Sequence, residues 1–365
     1  MENGETKKKR GVGRVIRNIF LALIGFVILL AGALFAVLAI TEYKPADVET
    51  VEVRGTAEKT LKTGEQITMM TWNIGYGALG DNADFFMDGG TGVKTADLNR
   101  LQENLYGIQT EIWSVDPDIL LLQEVDQYST RSEGVDEMEW FRQDMTEYAS
   151  VFANNFKVAF LPYPMPPIGK VDSGIGTFSQ YPIENAERLQ LPISFSWPVS
   201  MVNLKRGLLV TRMPVEDSDK ELVIINLHLE AYDDGEGKVA QTKMLAQVLA
   251  EEEAKGNYVI AGGDFNQIFN ERDLARYPLQ EGKWQPGVLD LSVIEGNWKF
   301  MANGTIPTCR SLDQPYAGAD KETFQYYVID GFIVSENVKV SYLATQDLDF
   351  QYSDHNPVVI RFELQ

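Results

Sequence analysis

Two rhythms of apolar residues divide this chain. From Phe20 to Ile40 run twenty-one residues, FLALIGFVILLAGALFAVLAI, without a charge or a strong polar group. At about 1.5 Å of rise per residue, a helix of that length spans the roughly 30 Å hydrocarbon core of a bilayer. Farther on, Leu98, Leu101, Leu105, Ile108 and Ile112 recur at spacings of three and four. That period predicts a helix with one apolar face, ending near Asp116-Pro117. Val239, Met244, Leu245, Val248 and Leu249 predict a second helix, stopped at Gly256. Between them lie apolar runs of strand length: ITMMTW, DILLLQ, ELVIINL, NYVIAGG, YYVIDGFIV and NPVVIRFEL. Many strands with few helices predict an α+β sandwich, with packed sheets inside and helices outside.

Charge orients the apolar helix. Residues 1–17 carry six basic groups against two acidic ones, a balance of +4 that leaves −25 on the rest of a chain whose net charge is −21. Glu42, Asp47, Glu49 and Glu52 follow the apolar run. Basic flanks stay inside. Residues 1–19 therefore read as a basic cytoplasmic N-terminus and 20–40 as a single transmembrane helix. Residues 41–66 read as a linker, stalk or edge strand, and 67–365 as one domain outside the cell membrane. A cleaved signal peptide is the alternative, but its apolar region is about 7–15 residues with a small-residue cleavage site beyond. TEYKPADVET offers no such site.

Composition narrows the chemistry. One cysteine, Cys309, and two histidines exclude an intramolecular disulfide, a zinc–thiolate cluster and a His-rich metal site. Any metal must be held mostly by oxygen, which points to magnesium, calcium or manganese. An acidic body disfavours nucleic acid as a partner, since such binding draws on Lys and Arg neutralising phosphates. No protein partner can be inferred.

The predicted strands end in polar residues. ITMMTW runs into Asn73, and DILLLQ into Glu124. NLHLE carries Asn226 and His228 two apart, hence on one face, and GGDFN delivers Asp264 and Asn266 in the same way. Asp330 is embedded among Val328, Ile329, Phe332 and Ile333, and Asp354-His355 precede the last strand. Each has a bland reading as a turn former or solvated strand end. Six such segments together, absorbing both histidines, make a chance assembly the poorer explanation.

In this order, TWNIGYG, LLQEV, SGIGTFSQYPI, NLHLE, GGDFN, the Ile329-Asp330 pair and SDHNPV resemble the endonuclease/exonuclease/phosphatase superfamily. Deoxyribonuclease I-like nucleases, abasic-site endonucleases, inositol polyphosphate phosphatases and neutral sphingomyelinases belong to that group. The resemblance implies a four-layered α/β-β/α sandwich of two packed mixed sheets. It implies a phosphoesterase using Mg²⁺, with Mn²⁺ as the alternative, and metal ligands Asn73, Glu124 and Asp354. Asp264 would orient or deprotonate water, and His355 would pair with Asp330 as base or transition-state stabiliser. His228, Asn266 and Asn226 would contact the phosphate.

Other features carry expectations of their own. Gln180 stands where many relatives carry Arg or Lys, so a basic phosphate contact is in doubt. Lys205-Arg206-Gly207 could supply a substitute, but two adjacent basic residues before a strand read first as surface charge. The Gly- and Asp-rich loop after Asn73, with Asp81, Asp84 and Asp88, fits no EF-hand and reads as mobile. LPYPMPPIGK reads as a stiff loop. Phe195, Trp197 and Pro198 read as core packing, with membrane or lipid contact as the sharper alternative. Three functions remain open: a surface-anchored phosphoesterase on a small or lipid-derived substrate, an extracellular nuclease, and a catalytically inactive binding module of the same fold.

Overall fold

A computed structural model of the protein describes residues 6–233 and 235–365. Helix α1 runs from Thr6 to Ile40, and from Gly11 onward it is long and apolar enough to cross a membrane. Among the described residues, thirteen strands build the two large sheets, beside two short two-stranded ones. In chain order they are β1 (Val48–Thr50), β2 (Ile67–Asn73), β3 (Ile119–Asp126), β4 (Ala149–Leu161), β5 (Gly169–Ser179), β6 (Asn185–Gln190) and β7 (Gly207–Pro214). They continue as β8 (Glu221–His228), β9 (Tyr258–Asp264), β10 (Lys299–Met301), β11 (Asp330–Val334), β12 (Val338–Thr345) and β13 (Val358–Leu364). One sheet has the order β1-β6-β7-β8-β9-β11-β10 and the other β12-β13-β2-β3-β5-β4. Both are mixed: β8 runs parallel to β9 and β2 parallel to β3, while the other pairs are antiparallel.

Strand alternation explains the layers. In β2, Met69 faces the space between the sheets with Ile119, Leu121, Ile224, Ile260 and Phe332, all fully buried. Met70 and Trp72 point the other way, onto the apolar face of α2 (Leu98–Val115), where Leu101, Leu105 and Ile108 meet them. Helix α2 starts at Asp97, whose carboxylate accepts from Arg100 N at 2.9 Å, and ends at Asp116, in the left-handed region just before Pro117. After the short helix α3 (Glu137–Arg142), α4 (Glu236–Ala254) covers the second sheet, packing Leu245 and Leu249 on Val223, Ile225 and Val259. The result is the α/β-β/α sandwich of two mixed sheets.

Segment 41–66 is bound to this body. β1 forms an edge strand paired with β6, Arg54 bridges Ser150, and Leu61 enters the core between the sheets. The loop after Asn73, expected to be mobile, is instead tied down. Asp81 meets Arg100, Phe85 N donates to Leu312 O at 2.7 Å, and Arg310 Nη2 donates to Gly80 O at 2.8 Å. Its carboxylates are used as loop anchors.

Candidate active site

The two parallel pairs of strands end on the same side of the molecule. In one sheet His228 of β8 stands opposite Asp264 of β9, which stands opposite Asp330 of β11. Three adjacent strands thus set three functional groups in one row. In the other sheet Asn73 ends β2 opposite Gln123, and Glu124 follows in β3. Register shifts between Leu122 and Val125, and Glu124 sits at φ 53°, a left-handed conformation that turns its side chain out of the regular strand alternation. Glycine before Asp264 has a steric cause. Gly263 has φ +145°, and a Cβ there would lie 2.0 Å from Leu227 O.

The segment before β13 closes the row. Ser353 Oγ donates to Asn73 O at 2.8 Å, and Trp72 Nε1 donates to His355 O at 2.8 Å. These bonds pin Asp354 and His355 to the end of β2. His355 Nδ1 lies 2.9 Å from Asp330 Oδ2, and its Nε2 lies 3.8 Å from Asp264 Oδ2. His228 Nε2 is 3.4 Å from the same Asp264 oxygen. Asn73 Nδ2 donates to Asp264 Oδ2 at 3.0 Å and to Glu124 Oε1 at 3.3 Å. Asn266 N donates to Asp264 Oδ1 at 2.8 Å, and its side-chain amide donates to Leu229 O at 2.9 Å. Asp264 therefore stands at the centre, with both histidines, Asn73 and Asn266 around it.

The site carries more negative charge than its own cations offset. Burial first, then the charge of Asp330, pushes Asp264 up to about 7. Burial also pushes Asp354 up to about 6, with Glu124 adding to the effect against the pull of His355. Burial alone would lower His355, but Asp330, Cys309 and Asp354 outweigh it and hold the imidazole well above its ordinary value. His228 goes the other way, held well below by burial and by the charges of Arg206 and His355. The two imidazoles are thus pushed in opposite directions, His355 toward its charged form and His228 toward its neutral one. Asp330 Oδ1 is buried without a hydrogen-bond partner. Ligand atoms of Asp264, Asp330 and His355 lie within 4.8 Å of one another, as do those of Cys309, Asp354 and His355. A divalent cation relieves such a surplus of carboxylate charge, and acidic and imidazole groups here could hold one.

Asn226 is not at the surface of this site. It is fully buried between the sheets, where Nδ2 donates to Gly176 O at 2.8 Å and to Leu122 O at 3.2 Å. Its Oδ1 accepts from Gln123 Nε2 at 2.8 Å. With its amide committed to the opposite sheet, it has no reach to a phosphate. The alternation that pairs it with His228 is real, but the facing sheet covers its position. Gln180 is also remote: it follows Ser179, which pairs with Ile119 at the far end of β3, about 17 Å from Glu124 at 3.3 Å per residue. Its amide donates to Tyr148 Oη at 2.7 Å.

Lys205 and Arg206 are buried, contrary to the reading as surface charge. Lys205 Nζ pairs with Glu42 at 2.8 Å. Arg206 Nη1 donates to His228 O at 3.2 Å, and its Nε lies 3.7 Å from Glu230. Of the two residues weighed as a substitute basic contact, Arg206 is the one that lies beside the strand end carrying His228. Tyr76 was missed in the sequence; its ring lies 3.6 Å from the Arg131 guanidinium, and its buried hydroxyl feels Glu124 and Asp354. Asp88 accepts from Tyr232 Oη at 3.1 Å, and burial, with Asp354 and Glu124, pushes its carboxyl up to about 7.

Comparison with known proteins agrees with this geometry. The solved endonuclease/exonuclease/phosphatase from Beutenbergia cavernae is similar at 18% identity and a TM-score of 0.56, over 82% of this chain and 72% of that one. The human Nocturnin catalytic domain, solved with bound sulfate, is similar at 19% identity and a TM-score of 0.52, over 86% of this chain and 98% of that one. TDP2 from D. rerio, solved with a single strand DNA product, is similar at 14% identity and a TM-score of 0.51, over 82% of this chain and 99% of that one. These likenesses are of fold. No curated protein sequence matches the chain. The sequence profile of the Endonuclease/Exonuclease/phosphatase family matches residues 70–355, which contain Asn73, Glu124, His228, Asp264, Asp330 and His355, and the chain belongs to that family.

Proposed function

We propose that this chain is a divalent-metal-dependent phosphoesterase, held outside the cell membrane by α1, that hydrolyses a small or lipid-derived phosphoester with water. The observation that carries the reading is the convergence of His228, Asp264 and Asp330 from one sheet upon Asn73 and Glu124 from the other, joined by His355 from the segment that leads into β13 of that second sheet. Glu124, Asp354 and Asn73 would hold the cation. Their oxygen donors suit Mg²⁺, with Mn²⁺ as the alternative, and ligation by Asn73 requires its amide to turn its oxygen toward Glu124. The cation supplies charge neutralisation at the phosphate oxygens.

The protein's own groups do the rest. Asp264, raised toward neutrality and central, is placed to take a proton from water, while Asn266 N fixes its other oxygen. His355, its charged form favoured and its Nδ1 held by Asp330, presents Nε2–H to the charge that develops on the phosphoryl group. His228 and the Asn266 amide flank the same space and would position the phosphate. Retention of all these groups in bonding distance favours an enzyme over an inactive module. Acidic residues at the rim, with Arg206 already facing Glu230, favour a small or lipid phosphoester over duplex DNA.

A nuclease is the second reading, favoured by the likeness to TDP2 bound to a DNA product. A panel of duplex DNA, single-stranded RNA, sphingomyelin, inositol phosphates and bis(4-nitrophenyl) phosphate, at matched Mg²⁺ and salt, separates the two. Turnover of a small or lipid phosphoester supports the proposal. Efficient, steeply salt-dependent cleavage of DNA alone overturns it in favour of the nuclease.

A further inference from the structure

We propose that the bilayer holding α1 also covers an apolar face of the catalytic body, so that the domain lies on the outer leaflet with its active-site rim at head-group level. The docking rests on α1 spanning a membrane, and its consequence for substrate rests on the phosphoesterase reading. The starting observation is that α1 does not end before the body begins. Leu34 and Leu38, in its last two turns, pack against Val158, Ile168 and Val171. Phe35 meets Trp197 edge-on, with ring centroids 5.8 Å apart and planes at 84°. At about 1.5 Å per residue, Phe35 lies roughly 7.5 Å back from Ile40 along the helix. Trp197 is therefore level with the apolar side of the helix. If Ile40 marks the upper edge of the span, the loop bearing Trp197 reaches into the bilayer.

The surface at that level matches what a bilayer accepts. Residues 158–169 and 191–204 contain no charged residue, in a protein of which 23% of residues are charged. From these two stretches Met165 is 82% exposed, Tyr163 69%, Trp197 62%, Val199 51% and Ile193 44%. The two stretches meet around the helix, since Leu161 and Val202 join Leu34 and Leu38 in one cluster. A contiguous apolar patch of this kind is uncommon on a soluble surface. Trp and Tyr favour the head-group level, and interfacial segments sink about 5–10 Å. The charged residues that flank the two stretches in sequence are Lys157 and Lys170 on either side of the first and Lys205 after the second, the last buried against Glu42.

A single turn connects this face to the active site. Phe86 packs in the same cluster as Leu34 and Leu38 and stacks edge-on with Tyr163, ring centroids 6.0 Å apart. Two residues later, Asp88 bonds Tyr232 at the rim, within range of the charges of Glu124 and Asp354. The rim therefore lies one short turn from the membrane face. A phosphoester in a lipid head group would meet it without leaving the leaflet.

The test uses the full chain reconstituted in phosphatidylcholine vesicles, with and without lipids brominated in the middle of the acyl chain. The chain has six tryptophans. Bromolipid is expected to quench part of the wild-type emission, and Trp197→Phe is expected to lose most of that quenched part. No quenching in the wild type, or equal quenching in the variant, overturns the docking. A dimer in detergent whose association is broken by Trp197→Glu, without quenching in vesicles, would also overturn it by showing that a second copy covers the face. In the activity arm, Met165→Lys with Trp197→Glu should leave circular dichroism and turnover of bis(4-nitrophenyl) phosphate unchanged. The same pair should slow hydrolysis of a vesicle phospholipid at least tenfold; an unchanged lipid rate overturns the head-group placement. Absence of all hydrolysis overturns the reading of the site and leaves the docking to be decided by quenching.

Discussion

Replacing Asn226 by Ala separates a structural role from a catalytic one. The side chain is fully buried and ties the sheets together. Its strongest bonds are those to Gly176 O and from Gln123 Nε2, both at 2.8 Å. Truncation strands both partners, and an unsatisfied buried partner costs about 1–3 kcal/mol. The sum is roughly 2–5 kcal/mol, because Gln123 retains its second acceptor, Thr71 Oγ1. At about 2.1 cal/mol/K per residue, a domain of roughly 300 residues shifts by about 1.6 °C per kcal/mol, so Tm falls by roughly 3–8 °C. Calorimetry of wild type and variant reads this directly. Below the onset of unfolding, kcat and KM should stay within about twofold, since no atom of Asn226 reaches the site. An unchanged Tm with KM raised tenfold or more would refute the structural assignment and restore Asn226 as a phosphate contact.

Asp264→Ala and His355→Ala should each lower kcat on bis(4-nitrophenyl) phosphate by at least about 10²–10⁴-fold while near-ultraviolet circular dichroism stays native. Asp330→Asn should cost less than His355→Ala, because the imidazole remains and keeps a bond at Nδ1; an equal or greater loss would show that orientation outweighs the imidazole itself. Acid stability should depend on Glu252. Burial opposes its charge, but bonds from Arg212, Lys255 and Asn257 prevail and lower it to about 2. A depressed carboxylate stabilises the fold above its unfolded value near 4.3, and that contribution is lost as pH falls from there toward about 2. Urea midpoints should drop across that window in the wild type and less steeply in Glu252→Gln; identical slopes would contradict the pairing.

How much of this was legible in the sequence depends on which physical signal each residue carries. The α2 face and the end of that helix at Asp116-Pro117 follow from a period of three and four and from the proline, both local properties. The sheet strands follow from short apolar runs, and their polar ends marked where function would gather. Register did not follow. That His228, Asp264 and Asp330 stand in one row is a property of three paired strands distant in sequence. The same gap misled the reading of Asn226. Period two correctly puts it on the same strand face as His228, but whether that position opens to solvent or is capped by β3 and β5 is set by the other sheet. Lys205 and Arg206 were misread because charge alone says nothing of burial; their partners Glu42 and Glu230 come from either side of them in the chain. Trp197, read first as core, is exposed because its apolar partner is α1 rather than the sandwich.

The most direct test of the account is metal-dependent hydrolysis by the full chain in detergent. The enzyme is stripped with chelator, its metal content is verified by elemental analysis, and bis(4-nitrophenyl) phosphate turnover is titrated with Mg²⁺ and Mn²⁺. Glu124→Gln runs alongside. Turnover is expected to vanish on stripping and to return with Mg²⁺ or Mn²⁺ in the wild type. The variant should need at least tenfold more cation, because it loses a charged oxygen ligand. Full turnover by the stripped enzyme, or an unchanged metal titration in Glu124→Gln, would contradict the assignment of this site as a metal-dependent phosphoesterase.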